Sequence, residues 1–261
     1  MKTIGPTFMV FAICCLFLVA LPQRGLAFAE QGGLGVLAES GVEGPIVVVD
    51  LVKYRPGGAA EYAIYDQIAE AKVVDLGGEV VFRGDAAQVG QLPSDEWDRV
   101  TFRKYPSAAA VLAMGSSEEY QGAFPHRTAS VEASFVYAFS GELPSFAGAN
   151  PGMHPMNVAP ETNGTVYMLN LLRFKPDGAE TKFFTEYGAP RDGFRPTPVL
   201  LLKGVTSVIA DEVVDRLVLA HYPSAEVFIE MVTSAEYRAV APLRIEAIEL
   251  GLIWPFSMVV E

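Results

Sequence analysis

The chain has 261 residues, 51% of them hydrophobic, with 31 acidic against 19 basic side chains and a formal net charge of −12. That surplus of negative charge repels nucleic-acid phosphates and anionic lipid heads, so neither is expected as a partner. The length suffices for one large core or two smaller ones.

Lys2 opens the chain, Phe8 to Leu21 is an unbroken apolar run of 14 residues, and Ala27-Phe28-Ala29 follows. A basic start, a short apolar run and small residues where a signal peptidase reads predict a signal peptide over 1–29. The alternative is an uncleaved anchor, although a bilayer span takes about 20 apolar residues. Ile13 stands before Cys14, where a lipoprotein signal carries a small residue, so neither Cys14 nor Cys15 reads as a lipid attachment site. Cleavage after Ala29 removes both cysteines with Lys2 and Arg24, leaving 17 basic and 31 acidic residues, a net −14. No thiol then remains for a disulfide or a metal. The expected location is periplasmic or secreted, with no membrane contact after cleavage.

Residues 30–45 read as a flexible lead-in. Ile46–Tyr54 is short and β-branched and predicts a strand. Pro56-Gly57-Gly58 turns the chain, Ala59–Leu76 has helical character, and Gly77-Gly78 stops it. Glu79–Arg83 and Trp97–Tyr105 predict two further strands. Pro106 keeps Tyr105 extended, and the Ser107 hydroxyl can cap the next helix by accepting from a free first-turn amide. Ser117 reads as a second cap, with Pro125 expected to break that helix before His126. Val131–Phe139 predicts the last strand.

The same order is then written again. WDRVTFRKYPSAAAVLAMGSSEEYQGAFPHR (97–127) matches VDRLVLAHYPSAEVFIEMVTSAEYRAVAPLR (214–244) at an offset of 117. VVVDLVKYRPGG (47–58) matches the stretch from Val166 at an offset of 120, and GGEVVFRG (77–84) aligns with TPVLLLKG (197–204). A two-copy, domain-sized repeat predicts paired domains rather than a solenoid. The modules are placed at 46–139 and 165–256, joined by a Pro- and Gly-rich linker over 140–164.

Alternate strand residues face opposite sides of a sheet. Val47, Val49, Leu51, Val100, Phe102, Phe135 and Tyr137 form one apolar set, expected beneath the helices. The other face carries Asp50, Tyr54, Arg83, Arg99, Arg103 and Tyr105. In the second copy it carries Met168, Asn170, Leu172, Phe174, Lys203, Arg216 and Tyr222. An exposed patch of that apolar content asks for a partner, and the other copy's sheet is the expected one, with a ligand cavity between them. The candidate ligand-binding residues are therefore Asp50, Tyr54, Arg83, Arg99, Tyr105, Arg127, Asn170, Lys203, Arg216, Tyr222 and Arg244. Arginines offer paired donors to a carboxylate. The alternative has Arg83 and Arg99 pairing with Asp50, Glu132 or Glu249 across strands. Arg127 and Arg244 serve either as gates at the cavity mouth or as cations favoured at helix C-termini. The tyrosines either donate to a ligand or pack. Met153-His154-Pro155-Met156 has copper-type ligands but no fourth donor. A Gly-rich phosphate loop, a G-x-S-x-G elbow and an H-E-x-x-H helix are all missing from the sequence, which removes the corresponding enzyme classes.

The stretches MLNLLRFKPDG (168–178), GGEVVFRG, WDRVTFRKYPS (97–107), SSEEY (116–120) and FPHR (124–127) resemble the domain of unknown function 1330, a family of the dimeric α+β barrel superfamily. The resemblance implies an α+β fold: two tandem ferredoxin-like βαββαβ modules pairing sheet to sheet as a barrel, with strand order 4-1-3-2 in each. The barrel forms within one chain, a monomer with an internal pseudo-dimer, or in a homodimer. Relatives in the superfamily include cofactor-independent monooxygenases, haem-degrading enzymes, dye-type peroxidases and ligand binders. The leading expectation is an exported small-molecule binding protein without a cofactor. The alternatives are a cofactor-independent or haem-using monooxygenase and a structural assembly module. For haem the resemblance implies an Asn on the first strand and a His late in the second helix; Asn170 and His126 match these in different copies.

Overall fold

The computed structural model describes residues 32–141, 164–187, 197–210 and 212–259. The predicted signal peptide and Met153–Met156 lie outside the described residues. Eight strands appear in them: β1 Ile46–Tyr54, β2 Glu79–Ala86, β3 Arg99–Tyr105, β4 Val131–Ser140, β5 Val166–Phe174, β6 Thr197–Ile209, β7 Arg216–Tyr222 and β8 Ile248–Met258. The helices are α1 Gly32–Glu39, α2 Ala59–Asp75, α3 Ala108–Ser116, α4 Glu118–Ser130, α5 Ala179–Lys182, α6 Ala225–Thr233 and α7 Ala235–Ala247. A single π-helical turn, Phe183–Tyr187, continues α5.

The repeated YPSA is a strand-to-helix corner in both copies. Ser107 Oγ accepts from the Ala110 amide at 3.2 Å and Ser224 Oγ from the Val227 amide at 3.4 Å. Ser117 and Ser234 cap α4 and α7 in the same way, accepting from Tyr120 and Tyr237 at 3.3 and 3.0 Å. Each satisfies one of the amides that a helix start leaves open. Pro125 does not break its helix: α4 runs through it to Ser130, as α7 runs through Pro242. Both prolines are exposed, so the ring and the lost amide bond fall on the solvent side.

The strands close into one antiparallel barrel in the order β1-β3-β2-β8-β5-β7-β6-β4. Each module contributes the order 4-1-3-2. The seams are β4 on β6 and β2 on β8. The barrel therefore closes within a single chain.

The faces are the reverse of those expected from the sequence. Val47, Leu51, Phe102 and Tyr137 point into the barrel, where they pack with Tyr167, Leu169, Trp254 and Phe256 of the second module. Rings interlock there at 4.8–6.1 Å, among them Phe82 on Tyr167 and Trp97 edge-on to Trp254. The mixed face, with Asp50 and Arg103, lies beneath α2 and α4. The reason is electrostatic. Inside a barrel a charge can meet only other strand side chains, whereas a helix lying on the sheet can bring its own counter-charges, and buried charges need partners. Helix α2 carries the signal: Tyr62, Asp66, Ala69 and Val73 form its buried stripe, and a carboxylate on a buried stripe implies a cation on the sheet below.

Residues 30–45 are not wholly a lead-in. Helix α1 forms there, with Leu37 1% exposed against α3 and with Leu34 near Val205 and Val208 of β6. A Cβ on Gly33 would stand 2.3 Å from the Ser207 carbonyl oxygen, so only glycine permits this approach. On the opposite side the β2–β3 loop reaches onto the second module. Ala87 donates to the Pro255 carbonyl at 3.0 Å, and Val89 is buried beside Phe228 and Met231.

Candidate functional site

In the first module, five charged side chains are buried between sheet and helices: Asp50, Asp66, Arg83, Arg103 and Arg127. Arg127 Nη1 and Nη2 donate to Asp50 Oδ2 and Oδ1 at 2.6 and 2.9 Å, a two-pronged pair. Tyr62 Oη donates to the same carboxylate at 3.2 Å. Arg103 pairs with Asp66 and lies 3.6 Å from Asp50. Arg83 reaches Asp66 and Glu70, each at 3.0 Å. The Arg127 guanidinium sits 5.4 Å over the Tyr65 ring, a cation–π contact. Burial works to lower the pKa of Arg127, but the Asp50 charge and the neighbouring phenols overcome it and hold the group charged. Burial pushes the Tyr62 phenol up, reinforced by Asp50, and pushes Tyr105 up to about 12. Three guanidinium groups thus meet three carboxylates, and the network is neutral.

The predicted residues distribute as follows. Asp50, Arg83 and Arg127 belong to this network, on the helix side and not in a cavity between the sheets. Tyr54 is partly exposed, its ring 5.2 Å from that of Tyr62. Arg99 pairs with Asp85 at 2.7 and 3.1 Å rather than with Asp50 or Glu132. Tyr105 and Tyr222 are buried packing residues, the latter edge-on to Phe228. Arg216 pairs with Glu180. Lys203 is exposed, and the register moves it: Lys203 pairs with Arg216 as Asp85 pairs with Arg99. The place of Arg83, opposite Thr101, is taken in the second module by Leu201, opposite Val218. The true offset in this strand is therefore 118, and the basic match of Arg83 to Lys203 is not a structural one.

That correction exposes a simple difference between the copies. Register and repeat place Asn170 where the first module has Asp50, Val218 for Thr101, Ala220 for Arg103 and Leu201 for Arg83. Of those sheet charges and the helix arginine above them, only the arginine is retained. Arg244 Nη2 donates to Asn170 Oδ1 at 3.3 Å, and Asn170 Nδ2 donates to the Met168 carbonyl at 3.1 Å. Gly251 on β8 lies beneath the guanidinium, with a Cβ position 3.6 Å from Nη2. Asp50, Thr101 and Arg127 are 3%, 0% and 3% exposed, whereas Asn170, Val218 and Arg244 are all partly exposed. Beside them Phe174, Phe183 and Phe184 form a ring cluster with centroids 5.2–5.8 Å apart. Together, among the described residues, they make a partly exposed site with an apolar floor, one amide and one cation. The sequence pointed to Asn170 and Arg244 as candidates and put Val218 and Leu201 on the same face without a role, which depends on the register; Phe184 it missed.

The residues implied for haem do not converge. His126 Nδ1 stands 2.6 Å from Glu61 Oε1, between α4 and α2, and Asn170 belongs to the other module. Among the described residues no group of three His, Cys, Asp or Glu is placed to hold a metal ion.

Residues 51–139 match a family described as "Domain of unknown function (DUF1330)". A protein of unknown function from Rhodopseudomonas palustris is 34% identical, over 42% of this chain and 94% of its own, with a TM-score of 0.37. An anthrone oxidase-like protein is 12% identical over 85% of this chain and 93% of its own, with a TM-score of 0.56. A mutant chlorite dismutase from Candidatus Nitrospira defluvii is 11% identical over 85% and 94%, with a TM-score of 0.47. No curated protein matches the chain. The fold these likenesses share is the dimeric α+β barrel.

Proposed function

The chain belongs to the DUF1330 family, which carries no assigned chemistry, and we propose that within it this protein is an exported small-molecule binder whose site is the cleft at Asn170 and Arg244. One observation carries the reading: the second module keeps the arginine of the first but not its buried counter-charge, and leaves it open to solvent. A half-buried cation on an apolar floor is a poor structural element by itself, since it stabilises little without an acid. It is a good receptor, because ligand sites are mostly apolar with a few placed polar groups. The first module is the contrast. Its arginines are charge-paired with Asp50, Asp66 and Glu70, so that network serves to fix helices α2 and α4 on the sheet.

Export rests on the apolar run Phe8–Leu21 and the small residues at Ala27–Ala29. No haem or metal enters this reading. The protein acts as a monomer whose two modules stand in for the subunits of a dimer.

Native mass spectrometry of residues 30–261, purified unheated from an exported preparation, tests it. A mass above that of the polypeptide, lost on denaturation and lost in Arg244→Gln, is the expected result. A bare polypeptide mass together with no binding of any probe ligand would sink the reading, and a haem-sized increment would replace it with an oxygenase.

A further inference from the structure

On the reading that the Arg244 cleft is a ligand site, we infer that the group it selects is a single carboxylate carried on a flat apolar body. The first module displays how this scaffold satisfies the arginine at this position. Asp50 meets both terminal nitrogens of Arg127 at once, at 2.6 and 2.9 Å. In the second module Asn170 supplies one neutral oxygen at 3.3 Å to one of those nitrogens. Among the described residues Arg244 has no acidic partner. The charge that Asp50 supplies in one copy is missing in the other, and Arg244 is partly exposed.

The cleft also limits how much negative charge it can accept. Leu201 and Ala220 stand where Arg83 and Arg103 stand in the first module. Arg216, one row along the same face, is taken up by Glu180, so among the described residues a second negative charge could reach only the exposed Lys203 opposite it, which disfavours a phosphate dianion relative to a carboxylate at Arg244. The remaining walls are Val218, Leu201 and the partly exposed Phe184, which packs on Phe174 and Phe183. Ring clusters of this kind accept a further ring edge-on or offset. The ligand class that fits is an aromatic or similarly flat monocarboxylate.

Titration calorimetry on the signal-cleaved chain would compare benzoate, benzyl alcohol, phenyl phosphate and acetate. Benzoate is expected to bind tightest. Asn170→Asp installs in the second module the internal carboxylate of the first, so it should weaken benzoate at least about tenfold, as the loss of one charge-assisted pair implies. Arg244→Gln should do the same. Benzyl alcohol should be indifferent to Asn170→Asp, and thermal melting would verify that both variants remain folded. Benzoate affinity unchanged in folded Asn170→Asp would overturn the inference, as would phenyl phosphate or acetate binding as tightly as benzoate. If none of the four binds while the exported protein carries a bound mass, the cleft still binds something and this ligand class is wrong. If there is no bound mass either, both readings fall.

Discussion

At the scale of single residues, the two copies provide their own controls. Asp50→Ala would leave Arg127 buried without a carboxylate, and removing one partner of a buried pair costs about 3–5 kcal/mol. Asn170→Ala, beside a partly exposed arginine, should cost about 1 kcal/mol, the worth of an ordinary hydrogen bond. Urea denaturation of the two variants would show whether the costs differ in this order. Thr101 is fully buried, and its hydroxyl has no partner among the described residues. The second module has Val218 there, so Thr101→Val is expected to stabilise by about 1 kcal/mol, the relief of an unsatisfied polar group; a loss of stability would reveal a hidden partner. Tyr105 carries a pH prediction. Its folded pKa is raised from 10.0 to about 12 by burial, so the unfolded chain loses that proton first. Its contribution is complete below pH 10.0 and is lost as the pH rises toward about 12. Denaturation midpoints taken across that window, with Tyr105→Phe as reference, should fall more steeply in the wild type. Asn170 and Arg244 could be singled out from the sequence as candidates. Partners were not legible: nothing in the spacing of Arg99 says that it meets Asp85 rather than Asp50, because that choice is made by strand register.

At the scale of elements, local chemistry was nearly sufficient. Strand β1 was bounded correctly by its β-branched run, and the serine caps by the residues that follow them. Ser107→Ala and Ser224→Ala should each cost about 1 kcal/mol, additively, since the corners lie in different modules. Helix α1 was missed for a physical reason. GGLGVLAE holds three glycines in eight residues, and such a peptide does not form a helix by its own propensity. Docking forms it, through Leu37 and the close approach of Gly33 to Ser207. Gly33→Val should therefore release α1, seen as rapid proteolytic trimming up to about residue 40 with the barrel intact. The two-residue slip between β2 and β6 has a different origin. Both strands bulge at equivalent places, so the slip comes from the segment ahead of them, which is two residues shorter in the second copy, a change that alignment by residue type put after the strand.

At the scale of the whole molecule, the internal repeat revealed the architecture, and strand alternation two faces for each sheet. Which face turned inward was not legible from the strands, because in the first module both are buried in the finished protein. The charged stripe of α2 was the clue, and it lies on a different element. The shared interior makes a strong demand on integrity. A fragment ending at residue 141 would expose Val47, Phe102, Tyr137 and Phe139 together, along with the unpaired edges of β2 and β4. It is expected to self-associate, and sedimentation should find dimers or larger species rather than a folded monomer. Closure of the barrel within one polypeptide also has a consequence for what the fold can become. In an assembly of identical subunits every substitution is made twice, so an aspartate that locks one half must lock the other. Here Asp50 and Asn170 occupy matching places with different chemistry. On the proposed reading one half is free to serve as ballast while the other is receptive, and the expected stoichiometry is one ligand for two modules.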